Sequence, residues 1–468
     1  MESDPPWFRE ASLRPSVPTE RSGDGPPRSP RRDDLHPRPG RTRTRGKPGL
    51  SAQRTFFVVP AILIALVTQG CGITVAWQAP DTPTLRDAES LLLAPSVEVL
   101  ARELEPTGIP EIPMRSHVRP CCAFGHGLKA RLGQVPVPGI EIDNLKLIEE
   151  IGPHRYDSGF VMIGSDGLGE FFGEEENGLI FTCRGGFIDT AHVRDHADWT
   201  IFLTARIISN LEEGLDLRLP DEGGHRRVIV HPVDPDLLEK HDRVSFALAI
   251  ASWLSFRLSL WHEIATWYGW SWSPGFPEVD SSFSPEDLYS NLLGIRIAAA
   301  IALEHSARSS AIYDRSVDAW LRETIRFLGP TSKRTAQETM AALDGVWWNS
   351  RALLPGPGVL LRRNFSFDAE IEPWLVPPSL MTESLKERLI GECGGLPSPL
   401  VLVNPAGFHG IPLGDLARLE IELAPGLAGN ADLEEFGRVL TDADFPRIVE
   451  MIRRDNRKRF GPRADRPD

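Results

Sequence analysis

The longest helical pattern of this chain is Arg243-Val-Ser-Phe-Ala-Leu-Ala-Ile-Ala-Ser-Trp-Leu-Ser-Phe-Arg-Leu-Ser-Leu-Trp-His-Glu-Ile-Ala-Thr-Trp-Tyr268. Ala and Ser follow one stripe of the pattern, and Leu, Phe and Trp follow the other. Gly269 comes next and can end the helix, because glycine tolerates the left-handed conformation of a helix C-terminus. The segment therefore predicts a long apolar helix at the centre of the fold.

The elements on either side of this helix predict a mainly helical α+β fold, with a helical core, short strands and a β-hairpin. Upstream we expect a strand over 180–183, a helix over Ile188–Leu211, and a hairpin of Leu215–Leu219 and Arg227–Val233. Downstream, Ser284-Pro285-Glu286-Asp287 is a strong helix start, and its helix extends to about His305. The remaining predicted elements are helices near 311–328 and 332–348, strands over Val359–Phe367, Leu400–Val403 and Leu416–Leu423, and a terminal helix near 432–458.

The first 54 residues form a basic leader rich in proline and arginine. They hold 12 Lys+Arg against 7 Asp+Glu, together with 10 prolines, and show almost no apolar periodicity. Such a segment has no apolar face to bury, so we expect it to be disordered.

A lipoprotein-type signal segment is predicted over 55–71. The twelve uncharged residues Phe56–Val67 follow the basic stretch and lead into Thr68-Gln-Gly-Cys71. Twelve residues are too few to span a bilayer comfortably, but they match the apolar core of a signal peptide. The Gly-Cys ending resembles a bacterial lipoprotein signal, so we expect Cys71 to be lipidated and to anchor an exported protein in the cell envelope. The alternative is a short buried strand or helix.

The rest of the chain is predicted to form a spacer and irregular N-terminal layer over 72–125 and a single α+β domain over 126–468. Residues 55–468 hold 39 Lys+Arg against 58 Asp+Glu. Proteins that bind nucleic acid neutralise phosphates with Lys and Arg, so this acidic excess argues against a nucleic-acid partner. The expected partners are the membrane, through the lipid anchor at Cys71, and a peptide or glycan ligand.

Four cysteines follow the signal segment: Cys121, Cys122, Cys183 and Cys393. In an exported chain they can form two disulfides in three arrangements, between which the sequence does not choose. Neighbouring cysteines rarely bond each other, so we expect Cys121 and Cys122 to pair with Cys183 and Cys393.

The end of the long helix carries half of a zinc-protease motif. His262 and Glu263 supply the first histidine and the catalytic base, but Thr266 occupies the place of the second histidine. Both polar residues lie in an apolar helix, where an unpaired charge is costly. Glu286 lies 24 residues after His262, in the manner of a downstream glutamate ligand, and His192 is the candidate for the missing ligand. The sequence therefore predicts zinc bound by His192, His262 and Glu286, with Glu263 as catalytic base.

Other polar residues are expected to surround and orient these ligands: Asp189, Arg184, Arg194 and Asp287. His192 and His196 are four residues apart, so they form a second possible histidine pair without His262. A structural alternative is a buried network of hydrogen bonds and ion pairs that includes both arginines and specifies helix packing.

Two further chemistries stay open. Cys183 and His192 would serve as nucleophile and base of a Cys-His hydrolase, whereas the alternative places Cys183 in a disulfide. Glu263 and Glu286 would serve as paired carboxylates in glycoside cleavage. Five nearby tryptophans would then form a sugar platform, although aromatic stripes on helices are more often core: Trp253, Trp261, Trp267, Trp270 and Trp272.

Three motifs together resemble the bacterial family called domain of unknown function 4056, over about 125–460. They are Cys183-Arg-Gly-Gly-Phe-Ile-Asp-Thr-Ala-His-Val-Arg-Asp195, Trp261-His-Glu-Ile-Ala-Thr-Trp-Tyr-Gly269 and Phe283-Ser-Pro-Glu-Asp-Leu-Tyr-Ser-Asn-Leu-Leu-Gly294. The resemblance implies an exported, often lipid-anchored bacterial protein, and it implies no particular reaction. Together with the partial zinc-protease motif, this leads us to expect an envelope lipoprotein that acts as a metal-dependent hydrolase on an envelope polymer or peptide. The alternative is a non-catalytic envelope lipoprotein that binds a partner or glycan.

Overall fold

The computed structural model describes residues 82–96, 99, 112–132, 135–161, 175–271, 278–304, 309–356 and 358–468. The chain divides into two units, Met1–Val75 and Ala76–Asp468, and every described residue belongs to the second. The predicted leader and the signal segment with Cys71 lie outside the described residues.

The described residues confirm a mainly helical α+β fold with small sheets. Their α-helices are α1 Leu85–Leu93, α2 Thr190–Ile208, α3 Pro235–Lys240, α4 Arg243–Trp267, α5 Asp287–Leu303, α6 Ser310–Leu328, α7 Lys333–Ala342, α8 Glu383–Cys393, α9 Leu413–Leu416, α10 Pro425–Ala428, α11 Ala431–Glu434 and α12 Phe445–Phe460. The strands are β1 His117–Val118, β2 Leu128–Leu132, β3 Val135–Ile142, β4 Phe160–Val161, β5 Leu179–Thr182, β6 Gly186–Asp189, β7 Leu215–Arg218, β8 Gly224–Val230, β9 Leu353–Leu354, β10 Glu370–Ile371, β11 Leu402–Val403, β12 Gly407–Phe408, β13 Ile411–Pro412, β14 Ala417–Leu423 and β15 Val439–Thr441.

Helices α2, α4 and α5 pack together and form the centre of the core. Every residue of α5 is buried. Helix α4 is long and apolar enough to cross a membrane, but 94% of its most apolar window is buried within the protein. Gly294 allows α5 to approach α2 closely, because a Cβ atom at this position would lie 2.0 Å from the carbonyl oxygen of Val193. This contact places the first turns of α2 and α5 side by side.

The largest sheet has four antiparallel strands in the order β15-β14-β8-β7. Buried and partly exposed residues alternate along β14, and its buried face packs against α4. Strands β7 and β8 are the predicted hairpin. Strands β5 and β6 form a second, fully buried hairpin that leads directly into α2.

Several predicted elements differ from the structure. The predicted strand over Val359–Phe367 is wrong: Leu360 makes an isolated bridge to Trp348, and 361–367 has no strand partner. The helix predicted near 332–348 ends at Ala342, and the segment 432–444 contains a short helix and strand β15 instead of the start of the terminal helix. Helix α1 lies in the expected spacer, where Thr84 and Asp87 form a capping box.

The expected pairing of Cys121 and Cys122 with Cys183 and Cys393 is also wrong. Cys183 follows β5 and Cys393 ends α8, and these two residues are joined by a disulfide with a Cα–Cα distance of 5.6 Å. Cys121 and Cys122 are free thiols. They lie against Asp189 instead, which accepts a hydrogen bond of 2.9 Å from the backbone N–H of Cys122.

Candidate metal centre

Three buried helix ends bring ionisable side chains to one point. Asp189 is the last residue of β6 and the N-cap of α2, and its Oδ1 accepts a hydrogen bond from the backbone N–H of Ala191. His192 follows in the first turn of α2, Glu263 lies near the C-terminus of α4, and Asp287 begins α5. Cys121 reaches the same point from the loop before β2.

His192 has a defined orientation. Its Nδ1 atom lies 2.7 Å from Oδ1 of Asn291, an amide oxygen that can only accept a hydrogen bond. Nδ1 is therefore the nitrogen that donates to Asn291, and Nε2 is the nitrogen that faces the other side chains of the centre. Nε2 lies 3.2 Å from Sγ of Cys121 and 3.4 Å from Oδ1 of Asp287. A hydrogen bond on the far nitrogen is the usual way in which proteins orient a metal-binding histidine.

The carboxylates of Asp287 and Glu263 are each held in place by a hydrogen bond to one of their two oxygens. Oδ2 of Asp287 accepts a hydrogen bond of 2.7 Å from the backbone N–H of Ser284, and Oε2 of Glu263 accepts one of 2.6 Å from the backbone N–H of Phe283. Phe283 adopts a φ of +55°, a conformation that costs energy for an aromatic residue and that aims its N–H at Glu263. The second oxygen of Glu263, Oε1, is buried without a hydrogen-bond partner among the described residues.

These donors form two groups that fit a divalent metal ion. In each group the donor atoms lie within 4.8 Å of one another: His192, Glu263 and Asp287 in one, and Cys121, Asp189 and His192 in the other. Sγ of Cys121 also lies 3.9 Å from Oδ1 of Asp287. A tetrahedral zinc ion with ligand bonds of about 2.0–2.3 Å separates its donor atoms by about 3.3–3.8 Å. The distances from Nε2 to sulfur and oxygen are close to this range.

The centre is a buried acidic cluster, and the charges of Arg363 and His262 act on it without forming an ion pair with its carboxylates. Asp189, Glu263, Glu286 and Asp287 are all buried, and in the described part of the chain none of them forms an ion pair with Lys or Arg. Burial and repulsion from the other carboxylates raise the pKa of Glu286 and Asp287 well above the ordinary range. Burial and the same carboxylates also raise the pKa of the Cys121 thiol. Buried charges are usually paired or bind a metal, so this cluster requires either protons or a cation.

In a neighbouring charged cluster, by contrast, an arginine pairs with the buried carboxylates. Nε of Arg119 lies 2.6 Å from Oε2 of Glu175, and its Nη1 lies 2.8 Å from Oδ2 of Asp198. Although burial alone would raise them, the charge of Arg119 holds the pKa of Glu175 and of Asp198 below the ordinary range. These carboxylates therefore have a charged partner within the protein, whereas around His192 the Oε1 atoms of Glu263 and Glu286 have no hydrogen-bond partner among the described residues.

Two cavities adjoin the centre on different sides. One is a cleft of about 320 Å³, and Cys121 forms part of its wall. The other is a small cavity of about 30 Å³, large enough to hold a water molecule, and both His192 and His262 line it. Cys121 is therefore the donor residue at which the centre borders the cleft.

His262 lies beside the centre, but its side chain pairs with Glu222. Its ring centroid is 6.2 Å from that of His192, and its Nδ1 pairs with Oε1 of Glu222. Burial is the largest single influence and opposes protonation of His262, but the charge and hydrogen bond of Glu222, with the charges of Glu263 and Glu278, together raise the pKa of His262 to about 10. Glu286 lies next to Asp287, and its Oε2 accepts a hydrogen bond of 2.7 Å from the hydroxyl of Ser284. Of the three predicted zinc ligands, His192 belongs to the donor groups, whereas His262 and Glu286 belong to neither group and lie beside them.

The other predicted site residues are distributed as follows. Asp189 and Asp287 were predicted to support the ligands, but both are donors themselves. Asp189 belongs to the group with Cys121, and Asp287 belongs to the group with Glu263. Arg194 bonds Oδ1 of Asn177 at 2.6 Å, and Arg184 lies over the ring of Phe327. Neither arginine forms an ion pair with the acidic cluster among the residues that the structure describes.

The alternative chemistries meet structural obstacles. Cys183 is bonded to Cys393 and has no thiol to act as a nucleophile. The possible histidine pair of His192 and His196 is not formed, because His196 belongs to neither donor group among the described residues. Nδ1 of His196 lies 3.2 Å from the hydroxyl of Ser255 instead, and burial lowers the pKa of His196 well below the ordinary range. Three of the tryptophans proposed as a sugar platform belong to the core instead: Trp253, Trp261 and Trp267.

Sequence reasoning missed two of the donors. Cys121 was expected in a disulfide, and no local pattern connects it with His192, which is 71 residues further along the chain. Asp287 was expected only as a supporting residue. A signal for it exists in the sequence, because Asp287 and Asn291 are four residues apart and therefore share one face of an apolar helix.

The chain belongs to the family described as Protein of unknown function (DUF4056), whose model matches residues 109–377, more than half of the 468 residues. The matched region includes Cys121 and all of the helix residues of the centre. No curated protein and no solved structure matches the chain.

Proposed function

We propose that this member of the family is a metal-dependent hydrolase of the bacterial cell envelope, acting on an envelope polymer or peptide. The observation that carries the proposal is the convergence of His192, Glu263 and Asp287 in a buried acidic cluster whose carboxylates form no ion pair with Arg or Lys among the described residues. A bound divalent ion would balance this charge, and the mixture of nitrogen, oxygen and sulfur donors suits zinc.

The donor set also favours catalysis over a purely structural role. Structural zinc sites are closed by four protein ligands, whereas catalytic sites keep one position open beside a cleft. Here Cys121 lies between the centre and the larger cleft, so the cleft side of the centre is where a substrate would arrive. When bound, a divalent ion would polarise a carbonyl group and lower the pKa of a bound water.

Glu286 is the carboxylate that remains for proton transfer. Its Oε1 atom is buried without a hydrogen-bond partner among the described residues, while its Oε2 is held by Ser284. A bound cation would offset the burial and repulsion that raise the pKa of Glu286 and so keep this carboxylate ionised. In the proposed reaction Glu286 accepts a proton from the attacking water, whose oxygen bonds to the substrate carbonyl carbon. The carbon–nitrogen or carbon–oxygen bond then breaks, and Glu286 returns the proton to the leaving group.

We also propose that the protein is exported and lipid-anchored through Cys71. The Cys183–Cys393 disulfide supports export, because disulfides persist in oxidising compartments. Replacement of Cys71 by serine should abolish acyl labelling and release the protein from the membrane fraction. Unchanged labelling of the Cys71→Ser protein would contradict the lipidation site.

The function is tested by metal analysis together with hydrolysis of a panel of fluorogenic peptides, esters and cell-wall peptides. His192→Ala should lose both the metal and the activity, whereas Glu286→Gln should keep the metal and lose the activity. Glu387→Gln is the matched control, because Glu387 is exposed, and it should change neither. A protein that holds the metal but hydrolyses nothing in the panel would contradict the hydrolase and favour a non-catalytic binding protein.

A further inference from the structure

The larger cleft has mainly apolar walls. The residues that line it include Phe124, Ala130, Ile142, Leu354 and Leu360. Its volume of about 320 Å³ lies within the range of pockets that bind small molecules, roughly 300–1,000 Å³. A cleft of this kind binds its ligand mainly by removing apolar surface from water.

The cleft walls come from regular elements. Ala130 in β2 pairs with Leu354 in β9, and Lys129 pairs with Leu353 beside them. Trp348 packs in the core behind Leu360 and donates a hydrogen bond of 2.8 Å from its indole N–H to the carbonyl oxygen of Met340. A site supported in this way is shaped before its ligand arrives, so little ordering has to accompany binding.

The cleft and the metal centre meet at Cys121. This residue lines the cleft, and its Sγ lies 3.2 Å from Nε2 of His192. A molecule that fills the cleft therefore has one end beside the donor atoms of the centre. Glu278 and Asp280 also line the cleft, so an anionic group in it would be disfavoured.

We infer that this cleft binds an uncharged apolar group of the substrate, an aliphatic side chain or acyl chain adjacent to the amide or ester bond that is cleaved. The inference rests on the proposed function and specifies its substrate class. The apolar group lies along β2 and β9, and the carbonyl group next to it reaches the centre past Cys121.

The test is calorimetric binding of n-alkyl hydroxamic acids to the full-length protein loaded with zinc. The hydroxamate head binds metal, and its proton passes to a donor of the centre or to buffer, while the alkyl chain extends into the cleft. Each added methylene should tighten binding about fourfold, because burial of one methylene contributes about 0.8 kcal/mol. The series should begin with acetohydroxamic acid, which has almost no chain to bury.

A cleft variant and a control separate this site from other apolar surfaces. Ala130→Leu should fill the cleft and abolish the dependence on chain length, while leaving the affinity for acetohydroxamic acid unchanged. Ala369→Leu makes the same substitution at an exposed position and should behave as the unaltered protein. Zinc binding of each variant shows that it is folded.

The possible failures are distinguishable. Binding that does not depend on chain length, or a dependence that survives in Ala130→Leu, would overturn the apolar substrate class and leave the metal centre in place. Zinc binding without any hydroxamate binding would also overturn it. A protein that binds no zinc would overturn the proposed function itself, and this inference with it.

Discussion

Replacement of Asp287 by asparagine should have opposite effects on the metal-free and the metal-bound protein. Asparagine keeps the shape of the side chain and an oxygen that can accept the hydrogen bond from the backbone N–H of Ser284. It removes the negative charge that faces Glu263. In metal-free protein this relieves repulsion, whereas in metal-bound protein it weakens a ligand.

The magnitude follows from the geometry. The donor atoms of Asp287 and Glu263 lie within 4.8 Å of each other, and at this distance two unit charges repel by about 3.5 kcal/mol with an effective dielectric constant near 20. Protonation of one carboxyl at neutral pH costs a similar amount, about 4 kcal/mol from an ordinary pKa near 3.9. Asp287→Asn should therefore stabilise metal-free protein at neutral pH by up to about 3 kcal/mol, and should weaken zinc binding on the order of a hundredfold or more.

The pH dependence has a definite sign. Burial and the neighbouring carboxylates raise the pKa of Asp287 in the folded protein, so the folded state binds a proton more tightly than the unfolded state does. The free energy of unfolding of metal-free protein should therefore fall as pH rises above about 4, and the fall should be smaller in Asp287→Asn. Bound zinc should remove this contribution, because it stabilises the ionised carboxylate.

The assay is urea unfolding of chelator-treated protein at several pH values, with Asp198→Asn as the matched control. Asp198 is equally buried, but it is paired with Arg119, so its replacement should destabilise the protein by about 3–5 kcal/mol. If Asp287→Asn destabilised metal-free protein as Asp198→Asn does, the carboxylates around His192 would be a satisfied structural network and the reasoning would be refuted.

Two further predictions concern residues on either side of the centre. In cobalt-loaded protein, the spectrum should show no sulfur-to-metal charge-transfer absorption, because Cys121 borders the position left open for substrate; an absorption that Cys121→Ser removes and Cys122→Ser retains would close the site with a fourth protein ligand and contradict the catalytic centre. His262, whose pKa Glu222 raises to about 10, should contribute stability that is complete below about pH 6.5 and is lost as pH rises through 10. Glu222→Gln should lower the melting temperature at neutral pH and flatten this loss, and an unchanged pH profile of melting temperature would contradict the pairing.

The core helices could be predicted from the sequence because their signals are local. Helix α4 combines a continuous apolar pattern with a terminal glycine, and the hairpin of β7 and β8 is marked by a turn that contains Gly223 and Gly224. The segment Val359–Phe367 is also apolar in part, but a strand requires a partner, and partners are set by tertiary packing. Helix α1 was missed although its Thr84–Asp87 capping box is visible in the sequence.

The site could be predicted only in part, for a geometric reason. Consecutive residues on a helix point about 100° apart, so the partners of His262 and of Glu263 depend on how α4 packs against its neighbours. The sequence predicts that His262 and Glu263 serve one metal site. In the structure Glu263 accepts a hydrogen bond from Phe283, just before α5, while His262 pairs with Glu222. The contribution of Cys121 depends on a loop that meets α2 in three dimensions, and no spacing along the chain records it.

The most direct measurement of the central claim is an anomalous diffraction map of the protein crystallised with one equivalent of zinc. The account predicts a single strong peak about 2.0–2.2 Å from Nε2 of His192 and from one carboxylate oxygen each of Asp287 and Glu263. A crystal of well-folded protein with no peak among these side chains, or with zinc bound only at surface residues, would contradict the account.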